Sequence, residues 1–136
     1  MKAVVDTNVV AYFLLGTPQF ADESRAFLEG TSELLAPALW EAELANTVWM
    51  AVRTGVLPAR ESLGMLTLAI RLGVRTTETR ALWGAAFLRS LESGLSIYDT
   101  LFVELASRMR LPLATFDRKI LKAYPEIARR PEAIAS

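Results

Sequence analysis

Apolar residues follow two patterns along the chain, and each pattern predicts a different element. Short apolar runs that end at a polar residue or a proline indicate buried strands, whereas apolar positions that recur every three or four residues indicate helices. The predicted strands are 3–5, 33–36, 74–76 and 113–116. The predicted helices are 7–15, 20–29, 40–54, 58–72, 77–94, 96–109 and a short one from residue 117. Residues 126–136 show no period, and no final strand is predicted there.

Strands and helices alternate, which favours one parallel sheet covered by helices on both faces. The expected fold is a three-layer α/β/α domain with a short-stranded, mostly parallel central sheet, formed by residues 1–136 as a single domain. In open parallel sheets, binding sites form beyond the carboxyl ends of the strands. Asp6 and Asp117 each follow a predicted strand directly, so both are expected at that edge.

Composition excludes several kinds of chemistry. The chain has no Cys and no His, so thiolate and imidazole catalysis and Cys- or His-ligated metal centres are ruled out. Lys plus Arg is 15 and Asp plus Glu is 15, so no bulk positive charge attracts a polyanion and any contact with nucleic acid is expected to be local. The apolar run 9–15 is too short to span a membrane, and we predict a cytoplasmic protein.

Asp99 does not follow the pattern of a surface charge. It precedes Phe102, Val103 and Ala106 by three, four and seven residues, which puts its carboxylate on the apolar side of a helix. A buried carboxylate needs a hydrogen-bond partner or a cation. The alternative is a capping box, in which Ser96 caps the helix and Asp99 bonds back to it.

Glu43 lies on a narrow polar stripe of the predicted 40–54 helix, beside the apolar side. Asn46, one turn further on, could hold a carboxylate in position. The alternative is a solvated side chain, which is the usual state of a single helical Glu.

Asp6 and Asp117 also have an alternative, because each precedes a helix that its side chain could cap. Asn8 and Thr115 lie two residues from these strand-end acids. Clustered carboxylates without His or Cys suit hard cations such as Mg²⁺ or Mn²⁺. A cation held in this way would activate water for hydrolysis of a phosphodiester.

Four segments together resemble the successive motifs of PIN-domain ribonucleases, and most closely the VapC-type toxins of type II toxin–antitoxin systems. They are VVDTN (4–8), ELAN (43–46), SIYDT (96–100) and TFDR (115–118), and the similarity extends over residues 4–124. The acidic positions of the family fall on Asp6, Glu43, Asp99 and Asp117, and its hydroxyl position falls on Thr115. The resemblance implies an α/β/α fold, cleavage of RNA that depends on Mg²⁺ or Mn²⁺, a homodimer and inhibition by a cognate VapB-type antitoxin.

Under this interpretation, Asp6, Glu43 and Asp99 hold the main metal ion, directly or through water, and Asp117 completes a shared cluster with room for one ion or two. RNA is then expected to contact a few basic groups near these acids, and the candidates by motif position are Arg118, Lys119 and Arg53. For each of these three, the alternative is a solvated charge on a helix surface.

Four aromatic residues of the predicted helices are expected in the core rather than in contact with RNA, because aromatic residues at helical spacing usually pack there. They are Trp40, Trp49, Trp83 and Phe87. Trp49 and Val52 lie off the main apolar stripe of the 40–54 helix, which favours cover by a second subunit or an antitoxin.

Two other classes of protein compete with a nuclease. One is a catalytically silent PIN-like module that binds RNA or protein, and the full set of four carboxylates argues against it, because buried carboxylates are costly for a module that only binds. The other is a phosphorelay receiver, which requires a Lys near the last strand. Here Asp117 follows that strand, and we reject this class.

Overall fold

The computed structural model of the protein describes residues 1–135. The strands in these residues are β1 (Lys2–Val5), β2 (Glu33–Pro37), β3 (Arg75–Thr77), β4 (Leu113–Ala114) and β5 (Ala128–Arg129). The helices are α1 (Thr7–Leu15), α2 (Ala21–Gly30), α3 (Trp40–Arg53), α4 (Ala59–Arg71), α5 (Thr79–Ser93), α6 (Ile97–Met109), α7 (Arg118–Ala123) and α8 (Pro131–Ala135). None of the helices in this described part has the length and apolar character needed to cross a membrane.

The five strands form one sheet in the order β3-β2-β1-β4-β5, and each neighbouring pair is parallel. Val4 of β1 lies opposite Leu35 of β2 on one side and Leu113 of β4 on the other. The β1 residues Ala3, Val4 and Val5 are fully buried, as a central strand covered on both faces requires. The predicted parallel sheet is confirmed.

The strand order reverses direction at β1. The chain moves from β1 to β2 and β3 on one side and then crosses to β4 and β5 on the other. Right-handed connections therefore place α1–α4 on one face of the sheet and α5–α7 on the other. The packing agrees, because α1 contacts α2, α3 and α4, whereas α6 contacts α5, β1 and β2. This is the expected three-layer α/β/α arrangement, with a crevice between the carboxyl ends of β1 and β4.

Residues 126–129 correct the sequence-based expectation that the tail carries no strand. β5 pairs with β4, and Leu113 lies opposite Ala128. Helix α8 then packs against α2. A strand of two residues, of which Arg129 is exposed, has no periodicity to detect, so its formation depends on the unpaired edge that β4 offers.

The expectation that these four aromatic residues are core is correct for Trp40, which is buried, and wrong for Trp83 and Phe87. Trp49 is exposed, which agrees with its position off the main apolar stripe of the helix. Trp49, Trp83 and Phe87 are exposed to 52%, 56% and 54%. The periodic pattern shows that these residues share helix faces, but it does not show whether a face meets the sheet or solvent.

Candidate active site

Asp6 and Asp117 stand at the carboxyl ends of β1 and β4 and cap the helices that follow. Asp6 Oδ1 accepts the N–H of Thr7 at 2.8 Å. Asp117 Oδ1 accepts the N–H groups of Lys119 at 2.8 Å and Ile120 at 3.2 Å. The capping roles considered from the sequence are therefore present, and they hold both carboxylates at the crevice where the strand order reverses.

Thr115 links these two strand-end acids. Its hydroxyl donates to Asp6 Oδ2 at 2.7 Å and accepts the N–H of Asp117 at 3.0 Å. Asn8 lies beside them, with its amide nitrogen 3.4 Å from Asp6 Oδ2 and its side-chain oxygen 3.4 Å from the N–H of Phe116. Thr115 and Asp6 are both buried, so these hydrogen bonds form away from bulk water and keep the two strand ends in register.

Glu43 approaches the same crevice from the first turn of α3. Its Oε1 accepts a hydrogen bond from the Thr7 hydroxyl at 2.8 Å. Asn46, which the sequence suggested for orienting a carboxylate, is exposed and lies outside the cleft. Thr47 takes the position facing the cleft, because four residues complete a helical turn more closely than three do. In the structure, Thr7 and not Asn46 makes the contact that orients Glu43, which corrects the assignment made from the sequence.

Asp99 lies in the first turn of α6, whose N-cap is Ser96. The Ser96 hydroxyl accepts the N–H of Asp99 at 3.4 Å. Asp99 is half-buried and faces the crevice. Asp99 therefore takes part in the helix cap and also faces the crevice.

The four acids border one open cleft of about 280 Å³. Its lining consists of Asp6, Thr7, Asn8, Ala11, Tyr12, Glu43, Thr47, Asp99 and Asp117. The acids come from four separate segments of the chain, so tertiary folding alone places them in a common cleft.

The electrostatics of the cleft are unfavourable for negative charge. Burial raises the pKa of Asp6 to about 7; the hydrogen bond from Thr115 opposes the rise, and the charges of Glu43 and Asp99 add to it. Burial also raises the pKa of Glu43 and that of Asp99, for which the charge of Asp117 is a further cause. A proton or a bound cation would relieve this crowding of carboxylates.

The cleft provides oxygen donors of the kind that Mg²⁺ and Mn²⁺ prefer. No group of three or more acidic side chains within residues 1–135 is arranged to hold a metal ion as it stands. The fit to a divalent cation therefore rests on the chemistry of the donors and on the cleft that they share.

The three basic residues suggested for RNA contact do not line the cleft. Lys119 is near enough to Asp99 that its charge lowers the pKa of that carboxyl, against the larger effect of burial. Arg118, next to it, is exposed in the first turn of α7. Arg53 lies over the ring of Trp49 at the opposite end of α3 from Glu43, about 15 Å along the helix axis.

Two lining residues that could have been found from the sequence were missed. Thr7 directly follows Asp6, and Tyr12 lies one helical turn after Asn8 on the same face of α1. Tyr12 also belongs to an aromatic cluster with Phe20 and Phe116.

The fold and the cleft match a known class of domain. Residues 3–126 match the PIN domain family model, so the chain belongs to the PIN domain family. Ribonuclease VapC3 of Pyrobaculum aerophilum is 27% identical to this chain over 129 residues, which are 93% of this chain and 98% of that protein. The resemblance found in the four sequence segments is confirmed at the level of the family.

Proposed function

We propose that the protein is a divalent-metal-dependent endoribonuclease and the toxin of a toxin–antitoxin pair. The observation that carries the proposal is the cleft at the carboxyl edge of the sheet, which is bordered by Asp6, Glu43, Asp99 and Asp117. The likeness to a protein named Ribonuclease VapC3 supports the choice of RNA as substrate.

Asp6, Glu43, Asp99 and Asp117 would hold Mg²⁺ or Mn²⁺. The raised pKa of Asp6 supports this role, because a carboxylate that is costly to ionise alone gains most from a nearby cation. When bound, such a cation polarises a phosphoryl oxygen and acidifies water at the reacting phosphorus.

Neutral hydroxyl and amide groups near the carboxylates would orient them without cancelling their negative charge in the cleft. The Thr7 hydroxyl holds Glu43, and the Thr115 hydroxyl with the Asn8 amide holds Asp6. Asp117 uses Oδ1 for the helix cap, and Oδ2 is the oxygen left for another ligand. Lys119 is the basic residue best placed to receive a phosphate near Asp99, because its charge already acts on that carboxyl.

We also propose two protein partners. A second copy of the chain would cover the exposed apolar residues of α5, and a VapB-type antitoxin would inhibit the nuclease. The exposed rings of Trp83 and Phe87 support the homodimer, and the likeness to a VapC protein supports the antitoxin.

The test is RNA cleavage by the purified protein with Mg²⁺ or Mn²⁺ and with excess EDTA. We expect cleavage only with the metal, because no imidazole is present to serve as a base. The Asp6→Asn variant, purified in parallel, should be inactive and controls for a contaminating ribonuclease. Undiminished cleavage in EDTA would contradict the proposal, and RNA binding without any cleavage would favour a silent binding module instead.

A further inference from the structure

Three aromatic rings form a continuous surface beside the acidic cleft. Tyr12 stacks on Phe20, with ring centroids 4.6 Å apart and planes inclined by 23°. Phe116 packs against both, at 5.4 Å from Tyr12 and 4.8 Å from Phe20. Tyr12 also lines the cleft together with the four acids, so one end of the aromatic surface opens directly into the candidate active site.

Backbone hydrogen bonds and a guanidinium hold the aromatic surface in place. Phe116 lies between Thr115 and Asp117 in the chain, so its backbone is fixed by the same hydrogen bonds that position the acids. The guanidinium of Arg130 lies 5.1 Å from the Phe116 ring centroid and 6.0 Å from that of Phe20, and it pairs with Glu23. Rings that are already immobilised lose little conformational freedom when a ligand binds.

Within residues 1–135, the lining of the cleft itself offers RNA no positive side chain. Among the described residues that line it, four are acidic and none is basic, so the phosphate backbone of RNA is repelled there unless a cation is bound. Stacking on an aromatic ring does not require positive charge, and every nucleobase has a face that can stack.

We propose that Tyr12, supported by Phe20 and Phe116, is a stacking site for the base of a nucleotide next to the scissile phosphate of single-stranded RNA. This inference rests on the proposed function and extends it to how the substrate is held. The aromatic surface continues into a cleft whose donors suit phosphoryl chemistry, and this continuity favours a nucleotide over an apolar protein segment.

The experiment measures RNA binding by fluorescence anisotropy in an Asp6→Asn background, so that the RNA stays intact. The probes are a short labelled oligoadenylate and an abasic oligomer of equal length and charge. Tyr12→Leu should weaken oligoadenylate binding by about fivefold to a hundredfold and leave binding of the abasic oligomer unchanged. Tyr12→Phe, which keeps the ring, should bind oligoadenylate within about twofold of the parent. Phe13→Leu is the matched control, because Phe13 is an aromatic residue of α1 outside the cleft.

Two results would overturn the stacking site. One is equal oligoadenylate affinity with and without the Tyr12 ring, and the other is an equal loss for both probes, which would show general damage to the site. If Tyr12→Leu does not fold, an oligouridylate containing one 2-aminopurine tests the parent directly. Weakly stacking uridines leave the free probe fluorescent, so stacking on Tyr12 should quench it and an unquenched complex contradicts the site.

The cleavage assay separates this inference from the proposed function. RNA that stacks on Tyr12 but is not cut by the wild-type chain in Mn²⁺ would overturn the nuclease and leave the stacking site standing. Cleavage without any stacking signal would overturn the stacking site alone.

Discussion

Asp6 is the most buried of the four cleft carboxylates, and its environment works against its charge. It is only 8% exposed, and Glu43 and Asp99 add negative potential to the cost of burial. The hydrogen bond from Thr115 offsets part of that cost. In the metal-free protein, the charged form of Asp6 therefore destabilises the fold, and this gives a measurable dependence on pH.

We expect Asp6→Asn to become progressively more stable than the wild type, without metal, as the pH rises from about 4 to about 7. The pKa of Asp6 is raised from 3.8 to about 7, so in that window the folded state binds more protons than the unfolded state and wild-type stability falls as pH rises. The slope should approach, at most, about 1.4 kcal/mol per pH unit.

Urea unfolding in EDTA at several pH values measures this difference. Any fixed effect of the lost Thr7 or Thr115 hydrogen bond shifts all pH values equally and does not alter the slope. Asp22→Asn, at an exposed position of α2, controls for removal of one negative charge. A stability difference that stays constant between about pH 4 and about pH 7 would show that burial and the neighbouring carboxylates do not disfavour the charged form of Asp6.

Asp99→Asn separates a metal ligand from a helix cap. Burial and the charge of Asp117 raise the pKa of Asp99, so removing its charge should leave metal-free stability level or higher. Cleavage should be lost, and stabilisation by Mn²⁺ should shrink, because that stabilisation depends on metal affinity. Melting curves in EDTA and in Mn²⁺, beside one cleavage assay, measure all three effects.

The capping alternative gives the opposite result for Asp99→Asn. If the carboxyl matters only through its own hydrogen bond with Ser96, the variant should lose up to about 1 kcal/mol with or without metal, and activity should survive. A less stable but active variant would therefore refute a catalytic role.

Among the secondary-structure elements, α5 and α6 are joined by a buried carboxylate that the cleft does not use. Glu104 accepts hydrogen bonds from Arg89 of α5 at 2.8 Å and from Arg108 of its own helix at 2.7 Å. Arg108 also donates to the carbonyl of Ala81 at 2.7 Å. Since Asp99 lies on α6, this network helps to fix the helix that carries one wall of the cleft.

Glu104→Gln should destabilise the protein by roughly 2 kcal/mol near neutral pH. This loss is smaller than that for a fully buried ion pair, because the side chains of both arginines reach solvent. Burial alone would raise the pKa of Glu104, but the hydrogen bonds from Arg89 and Arg108 lower it. The ionised form is therefore stabilised by folding, and the wild-type advantage should persist above about pH 4.5 and decline as the pH falls further.

Urea unfolding of Glu104→Gln at neutral and acidic pH measures this contribution. Glu92→Gln is the matched control, because Glu92 is exposed on α5. Equal stability of Glu104→Gln and the wild type at neutral pH would show that the network contributes nothing net to the packing of α5 on α6.

At the scale of the whole molecule, α5 presents an exposed apolar surface, as α4 does at Leu63 and Ile70. Trp83, Phe87, Leu88 and Leu91 are exposed to 56%, 54%, 59% and 68%. Trp83, Phe87 and Leu91 follow each other at intervals of four, so they share one side of the helix. Contiguous exposed apolar residues of this kind mark an interaction surface. Trp49 on α3, where the sequence also favoured cover by a partner, is exposed as well, whereas Val52 is partly buried.

We expect the wild type to sediment as a homodimer at micromolar concentration and Phe87→Arg to sediment as a monomer. A buried arginine without a partner would oppose association. Leu63→Arg is the control, because Leu63 is 75% exposed on a different helix, α4, and should remain dimeric. A monomeric wild type, or dissociation by Leu63→Arg alone, would contradict a dimer formed through α5.

The pattern of the sequence was enough to predict the parallel α/β/α fold and the motifs that contain the four acids. Buried parallel strands such as β1 need an uninterrupted apolar run, and amphipathic helices need apolar residues every three or four positions. Both requirements are local, so they can be recognised in Ala3–Val5 and in the residues after Asp99 without knowing the tertiary structure.

Only the tertiary structure decided which faces meet and which segments pair. The strand β5 forms because β4 has a free edge, Thr7 rather than Asn46 contacts Glu43, and Tyr12 joins Phe20 and Phe116 across three segments. These contacts depend on the direction in which one element approaches another. Periodicity fixes the faces of a single helix or strand, but it carries no information about the element that a face will meet.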